Sequence, residues 1–152
     1  MIRFIRGTAM DAKQIIMNYT TPPGLDDFAT LADMVLQSLP EELEEQSEDL
    51  QIVIDDFPDD AVQADLDLDD AYELLALYRK GSEVSPGIEK KEADDDDTLF
   101  LYRRPILDVW CENCEDITSL IREVIIEEIG KALNFSEEEI DEMTSRHHQH
   151  LL

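Results

Sequence analysis

Positive charge is what this chain has least of. Its 152 residues carry 12 lysines and arginines against 38 aspartates and glutamates, a formal charge of −26. Such a surface repels nucleic-acid phosphates and anionic membrane headgroups, so neither is expected as a partner. It suits high solubility, a basic peptide or protein, a cation, or mimicry of DNA toward a nucleic-acid-binding partner. Long apolar runs are missing as well: none approaches the ~18 residues of a membrane span. The opening MIRFIRGTAM has two arginines but no apolar stretch behind them, which argues against a secretory signal. A cytoplasmic protein is expected, with a loosely ordered extension over residues 1–25 and Met10 or Met17 as alternative starts.

Cysteine occurs twice, as Cys111 and Cys114 in VWCENCED. A thioredoxin-type motif would need strands after it, and the remaining segment reads as helix. A structural zinc site would need a second cysteine pair, which is absent. The two are read as reduced cysteines at a junction between loop and helix. Histidine is confined to His147, His148 and His150, so an imidazole-based metal site is excluded from the core.

What remains is a patterned α+β chain. DDFATLADMVLQSLP spaces Phe28, Leu31, Val35, Leu36 and Leu39 at helical intervals, with Asp26 or Asp27 as the expected cap and Pro40 as the stop. EELEEQSEDL reads as a short polar helical turn. LQIVIDDFP reads as a strand, DDAVQADLDLDD as an acidic stretch of weak helical character, and AYELLALYRKG as a second apolar strand run stopped by Gly81. A charged loop leads to a third strand, TLFLYRRPI, ending before Pro105. A helix from about Asp116 to Leu133 and a short one from Ser136 complete the chain. The expectation is a small domain over residues 26–145, with about three strands between an N-terminal and a C-terminal helix, and a histidine-containing tail over 146–152.

Two acidic motifs carry little chemistry. Asp65, Asp67 and Asp69 have the opening spacing of a calcium loop, but Asp70 stands where glycine is required and Ala76 where the closing glutamate belongs. Asp94 to Asp97 is expected to be a solvated loop tip that discourages edge-to-edge aggregation. The basic ends Arg79, Lys80, Arg103 and Arg104 are candidates to pair with these acids.

The helix IREVIIEEIGKALNF poses the main question. On a wheel of ~100° per residue, Ile117, Leu120, Ile121, Val124, Ile125, Ile129 and Ala132 share one broad face. Glu128 falls inside that face, about 20° from Ile117, while Glu127 and Lys131 lie at its edge. A carboxylate there costs several kcal/mol unless it is paired or protonated. Either Glu127 or Glu128 pairs with Lys131 on a partly wet face, or Glu128 points into a cleft.

LFLYRRPIL followed by IREVIIEEIGKALNFSEEEIDEM resembles the bacterial zincin-like metallopeptidases with a minimal matrix-metalloprotease-like domain. The likeness extends over most of residues 26 to 143. That family carries a helix of the form HEIGHHFGLSD, in which two histidines and a following acid hold zinc and the glutamate activates water. The resemblance implies that Glu127 takes the first histidine position, Glu128 the general-base position, Lys131 the second histidine position, Asn134 that of the turn glycine and Glu137 that of the third ligand. Ile129 and Gly130 match. It further implies a degenerate motif in which no cofactor is expected and the Lys131 ammonium replaces the metal, pairing with Glu127, Glu128 and Glu137. Three functions stand as alternatives: an inactive peptide- or protein-binding or regulatory module, a divergent metal-dependent peptidase with Glu128 as general base, or, independent of the resemblance, an acidic interaction protein or DNA mimic. In a rescue variant of the second, the tail histidines complete a site with Glu127 and Glu137.

Overall fold

The computed structural model describes residues 22–81, 96–113 and 116–151, with side chains as far as Ser145. Six helices and three strands follow in the order α1 (Leu25–Leu36), α2 (Glu41–Ser47), β1 (Gln51–Asp55), α3 (Asp60–Asp65), a 3-10 turn (Ala71–Glu73), β2 (Ala76–Arg79), β3 (Thr98–Tyr102), α4 (Arg103–Asn113), α5 (Ile117–Ala132) and α6 (Glu137–Leu151). The fold class is therefore α+β, as the pattern predicted.

The sheet runs in the order β1-β3-β2. β1 is parallel to β3, with Ile52 opposite Leu99 and Ile54 opposite Leu101. β2 is antiparallel to β3, with Ala76 opposite Leu101. Because side chains alternate along a strand, these residues share one sheet face. That face meets the helices: α1 packs on β1, α5 packs on β2, and α1 and α5 pack on each other. Phe28, Leu31, Val35, Leu99, Leu101, Ile121 and Ile125 are buried at this junction. β1 and β2 are the two margins of the sheet among the described residues, and β2 lies against α5.

α5 is buried over most of its circumference, since Ile126 and Gly130 are covered in addition to the face seen on the wheel. Asp116 caps it, accepting from the Ser119 N–H at 3.1 Å. Its C-terminal end turns at Asn134, whose φ of 66° lies in the left-handed region that asparagine tolerates best after glycine. Ser136 and Glu139 then form a reciprocal capping box that starts α6: the Glu139 N–H donates to Ser136 Oγ at 3.1 Å and the Ser136 N–H to Glu139 Oε1 at 2.8 Å. The backbone of α6 stays helical through positions 147, 148 and 150.

Several local expectations change. The N-cap of α1 is Gly24, not Asp26 or Asp27; the Asp27 carboxylate instead accepts from the Gly24 N–H at 2.8 Å. The helix thus starts directly after the buried Pro23, whose carbonyl accepts from Arg103 Nε at 2.6 Å. β3 ends at Tyr102, and Arg103 to Asn113 form a helix that the strand pattern did not predict. Pro105 lies in the first turn of α4, where its missing N–H would have had no helical acceptor, so it opens this helix instead of only closing a strand. Cys111 is exposed in the last turn of α4, and Cys114 lies outside the described residues.

Asp97 is not a solvated loop tip. It anchors the margin of the sheet, accepting from Tyr78 Oη at 2.5 Å, the Gly81 N–H at 2.7 Å and Gln46 Nε2 at 3.1 Å. Burial opposes its charge, but the three donors outweigh burial and hold its pKa below the usual value. Burial and this same carboxylate push the Tyr78 phenol up to about 12. Asp94 and Asp95 lie outside the described residues.

Candidate functional site

The elements converge on a groove between the β2 margin and the C-terminal half of α5. Its floor follows from the helix wheel. Val124 and Glu128 are one turn apart on the side of α5 that faces β2, and Glu127 and Lys131 are one turn apart on its rim. The groove has two hollows. One, of ≈ 220 Å³, lies between Glu73–Ala76 and Val124, Glu127, Glu128 and Lys131. The other, of ≈ 330 Å³, lies between Leu77, Tyr78, Lys80 and Glu128, Lys131, Asn134. Glu128 and Lys131 border both.

The electrostatics centre on Lys131. Its Nζ lies 2.8 Å from Glu127 Oε1 and 3.9 Å from Glu128 Oε2. Glu127 and Lys131 are about half exposed, whereas the Glu128 side chain keeps 22% of its surface. Burial raises the Glu128 pKa; Lys131 pulls it down in part, and Glu127 adds to the rise. The Lys131 pKa is raised first by its hydrogen bond to Glu127, then by the fields of Glu127, Glu128 and Glu137. The structure thus brings Glu127, Glu128, Lys131 and Asn134 to one groove. Glu137, exposed at the start of α6, reaches Lys131 through its field and does not line either hollow.

Gly130 serves the site from behind. A Cβ built there would stand 2.8 Å from Ile140 Cγ1, so glycine is what lets α6 close against α5 beside the Asn134 turn. The sequence pattern gave no sign of Arg122. It is 6% exposed on α5, burial lowers its pKa, and its Nε and the neighbouring Thr118 Oγ1 have no hydrogen-bond partner among the described residues. Of the basic strand ends, Arg79 pairs with Asp65 at 3.5 Å, Arg103 with Asp56 at 2.9 Å, and the Arg104 guanidinium stacks 5.6 Å from the Phe57 ring centre. These cations are committed to the sheet and its loops, leaving Lys80 and Lys131 at the groove.

The groove thus lies in a three-stranded α+β domain, between an edge strand and a buried helix that turns a glutamate into it. A family model for zincin-like metallopeptidases matches residues 47–147, and the chain belongs to that family. A search of the curated proteins finds no match.

Zinc, which the family name implies, requires imidazole, thiolate or carboxylate donors converging on one point. The donors that α5 brings to this groove are Glu127 and Glu128, and Glu73 on the facing side accepts the Asp69 and Asp70 N–H groups. The Lys131 ammonium, which has no lone pair to offer, sits within ion-pairing distance of Glu127 and Glu128. No group of three His, Cys, Asp or Glu side chains among the described residues has the arrangement of a metal site. This donor set does not fit zinc. The side chains of His147, His148 and His150 lie outside those described.

Proposed function

We propose that this protein is a zincin-like domain that binds peptides without cutting them, its groove closed by a lysine in place of a metal. The contact of Lys131 with both Glu127 and Glu128 carries the reading. In the family motif, Glu127 and Lys131 stand at the two histidine positions, Glu128 at the general base, Asn134 at the turn glycine and Glu137 at the third ligand. Carboxylates that would gather around a dication gather here around an ammonium. The left-handed Asn134 and the close contact of Gly130 with Ile140 support retention of the motif's backbone after loss of its metal chemistry.

Binding uses the strand margin. The Leu75 carbonyl accepts from the Tyr102 N–H of β3 at 2.9 Å. By antiparallel alternation Leu77 and Arg79 also bond β3, and the N–H and C=O of Ala76 and Tyr78 face away from it. Those groups offer an extended peptide a strand to pair with. The excess of acid over the chain favours a basic peptide or protein.

Zinc calorimetry tests the reading. The native protein should take up no stoichiometric zinc, and an E127H/K131H variant should bind one equivalent. Tight one-to-one uptake by the native protein overturns it. One observation favours a second reading: the raised pKa of Glu128 in a groove is a property of general bases. A divergent peptidase of this kind would hold magnesium, calcium or manganese through carboxylates. Peptide hydrolysis that requires one of these ions and disappears in Glu128→Gln would establish it.

A further inference from the structure

The two hollows of the groove differ in charge, and the division falls at the Glu128–Lys131 pair. Beside Leu74–Ala76 the lining holds three carboxylates, Glu73, Glu127 and Glu128, against the single ammonium of Lys131. Beside Leu77–Lys80 it holds two ammoniums, Lys80 and Lys131, against the single carboxylate of Glu128. Apolar walls accompany both: Leu74, Leu75 and Val124 in the first, Ala132 in the second. At ≈ 220 and ≈ 330 Å³ the hollows lie at or below the floor of the ~300–1,000 Å³ typical of small-molecule pockets, so side chains suit them better than a free ligand does.

They also lie in sequence along one strand whose outward backbone is unpaired among the described residues. An extended peptide bonded to Ala76 and Tyr78 would send alternate side chains to the same face, ~6.6 Å apart for neighbours on that face. Long side chains two or four positions apart reach both hollows at once.

Building on the peptide-binding reading, we propose that the groove selects an extended peptide of mixed charge, with a lysine or arginine in the hollow beside Ala76 and an aspartate or glutamate in the hollow beside Lys80. The basic side chain lays its aliphatic stem on Leu74, Leu75 and Val124 and brings its charge to Glu73 and Glu127. The acidic side chain meets Lys80 and the outer side of Lys131. Within the groove a peptide of one sign alone sets one of its charges against its like, while the acidic surface around it adds a salt-screened attraction for every basic peptide.

The test uses the full chain and short, blocked, fluorescently labelled peptides, read by anisotropy at low and at physiological salt. The panel places lysine and glutamate two or four positions apart in both orders, with lysine-only, glutamate-only and uncharged counterparts. One mixed order should bind at least about fivefold more tightly than every single-sign peptide, the scale of one partly exposed charge pair. The preferred order reports whether the peptide runs parallel or antiparallel to β2. Lys80→Glu should erase the advantage of the mixed peptide over the lysine-only one, with the far-ultraviolet circular dichroism unchanged. A lysine-only peptide that binds as well as the best mixed one, or a preference untouched by Lys80→Glu, overturns this inference and leaves the peptide-binding reading standing. If no peptide of the panel binds, both are overturned.

Discussion

Glu128 and Gly130 show how single residues set the properties of the site. Burial raises the Glu128 pKa above its ordinary 4.5. A carboxyl raised in the folded state holds its proton more tightly there than in the unfolded chain. Its contribution therefore falls as pH climbs from the unfolded to the folded value, and stays as a constant penalty above that. Glu128→Gln removes the penalty. Its melting temperature relative to the native protein should be more favourable at about pH 7 than at about pH 4, where both carry an uncharged side chain. Melts at the two pH values check this; an equal difference at both would place Glu128 in full solvent contact. Gly130→Ala drives a methyl into Ile140 at 2.8 Å. Overpacking costs ~1–3 kcal/mol and the gain in helix propensity returns about 1, so a net loss of up to about 2 kcal/mol is expected in urea unfolding. Ile140→Ala should cost less in the Gly130→Ala background than in the native protein, and simple additivity of the two changes would refute the contact. Both residues were visible as motif positions. Arg122 was not, because a single arginine on an apolar helix looks like a solvent-facing residue until α5 is seen to be covered nearly all round.

Elements were legible where the signal was local. α5 from about Asp116, the Asn134 turn and the three strands are encoded by periodicity and turn chemistry. The start of α6 is equally local, since Ser136 and Glu139 cap one another. Ser136→Ala should cost about 1 kcal/mol in equilibrium unfolding and should fray the α5–α6 turn toward faster amide exchange at Glu138 and Glu139. No change in either observable would mean that packing of Ile140 and Met143 alone holds the helix. α4 was not legible. Its opening RRPI has the look of a strand terminus, and its helical state depends on Arg103 being drawn to Asp56 and the Pro23 carbonyl, both remote in sequence. Asp97 failed for the same reason: a run of four aspartates looks solvated until Tyr78, Gln46 and Gly81 are placed around one of them.

At the scale of the whole molecule, charge dominates. A formal −26 over 152 residues means that the folded state works against its own repulsion. In the Arg79–Asp65, Arg103–Asp56 and Lys131–Glu127 pairs the carboxylate is about half exposed and each pair contributes little, so screening relieves more repulsion than attraction. Raising salt from about 0.05 to about 0.5 M should therefore raise the melting temperature, and a fall would show that attractive pairs control stability. Among the described residues no helix is long and apolar enough to cross a membrane. The sequence by itself determined the acidity, the α+β class, the zincin-like family and the absence of histidine before position 147, because composition, periodicity and motif spacing are properties of the chain in one dimension. Only the tertiary structure decided that Lys131 bridges Glu127 and Glu128, that Asp97 is an anchor, and that the groove is acidic at one end and basic at the other. Those facts depend on which strand edge lies against which face of α5, and that is fixed by burial of the sheet's apolar face, not by any one segment.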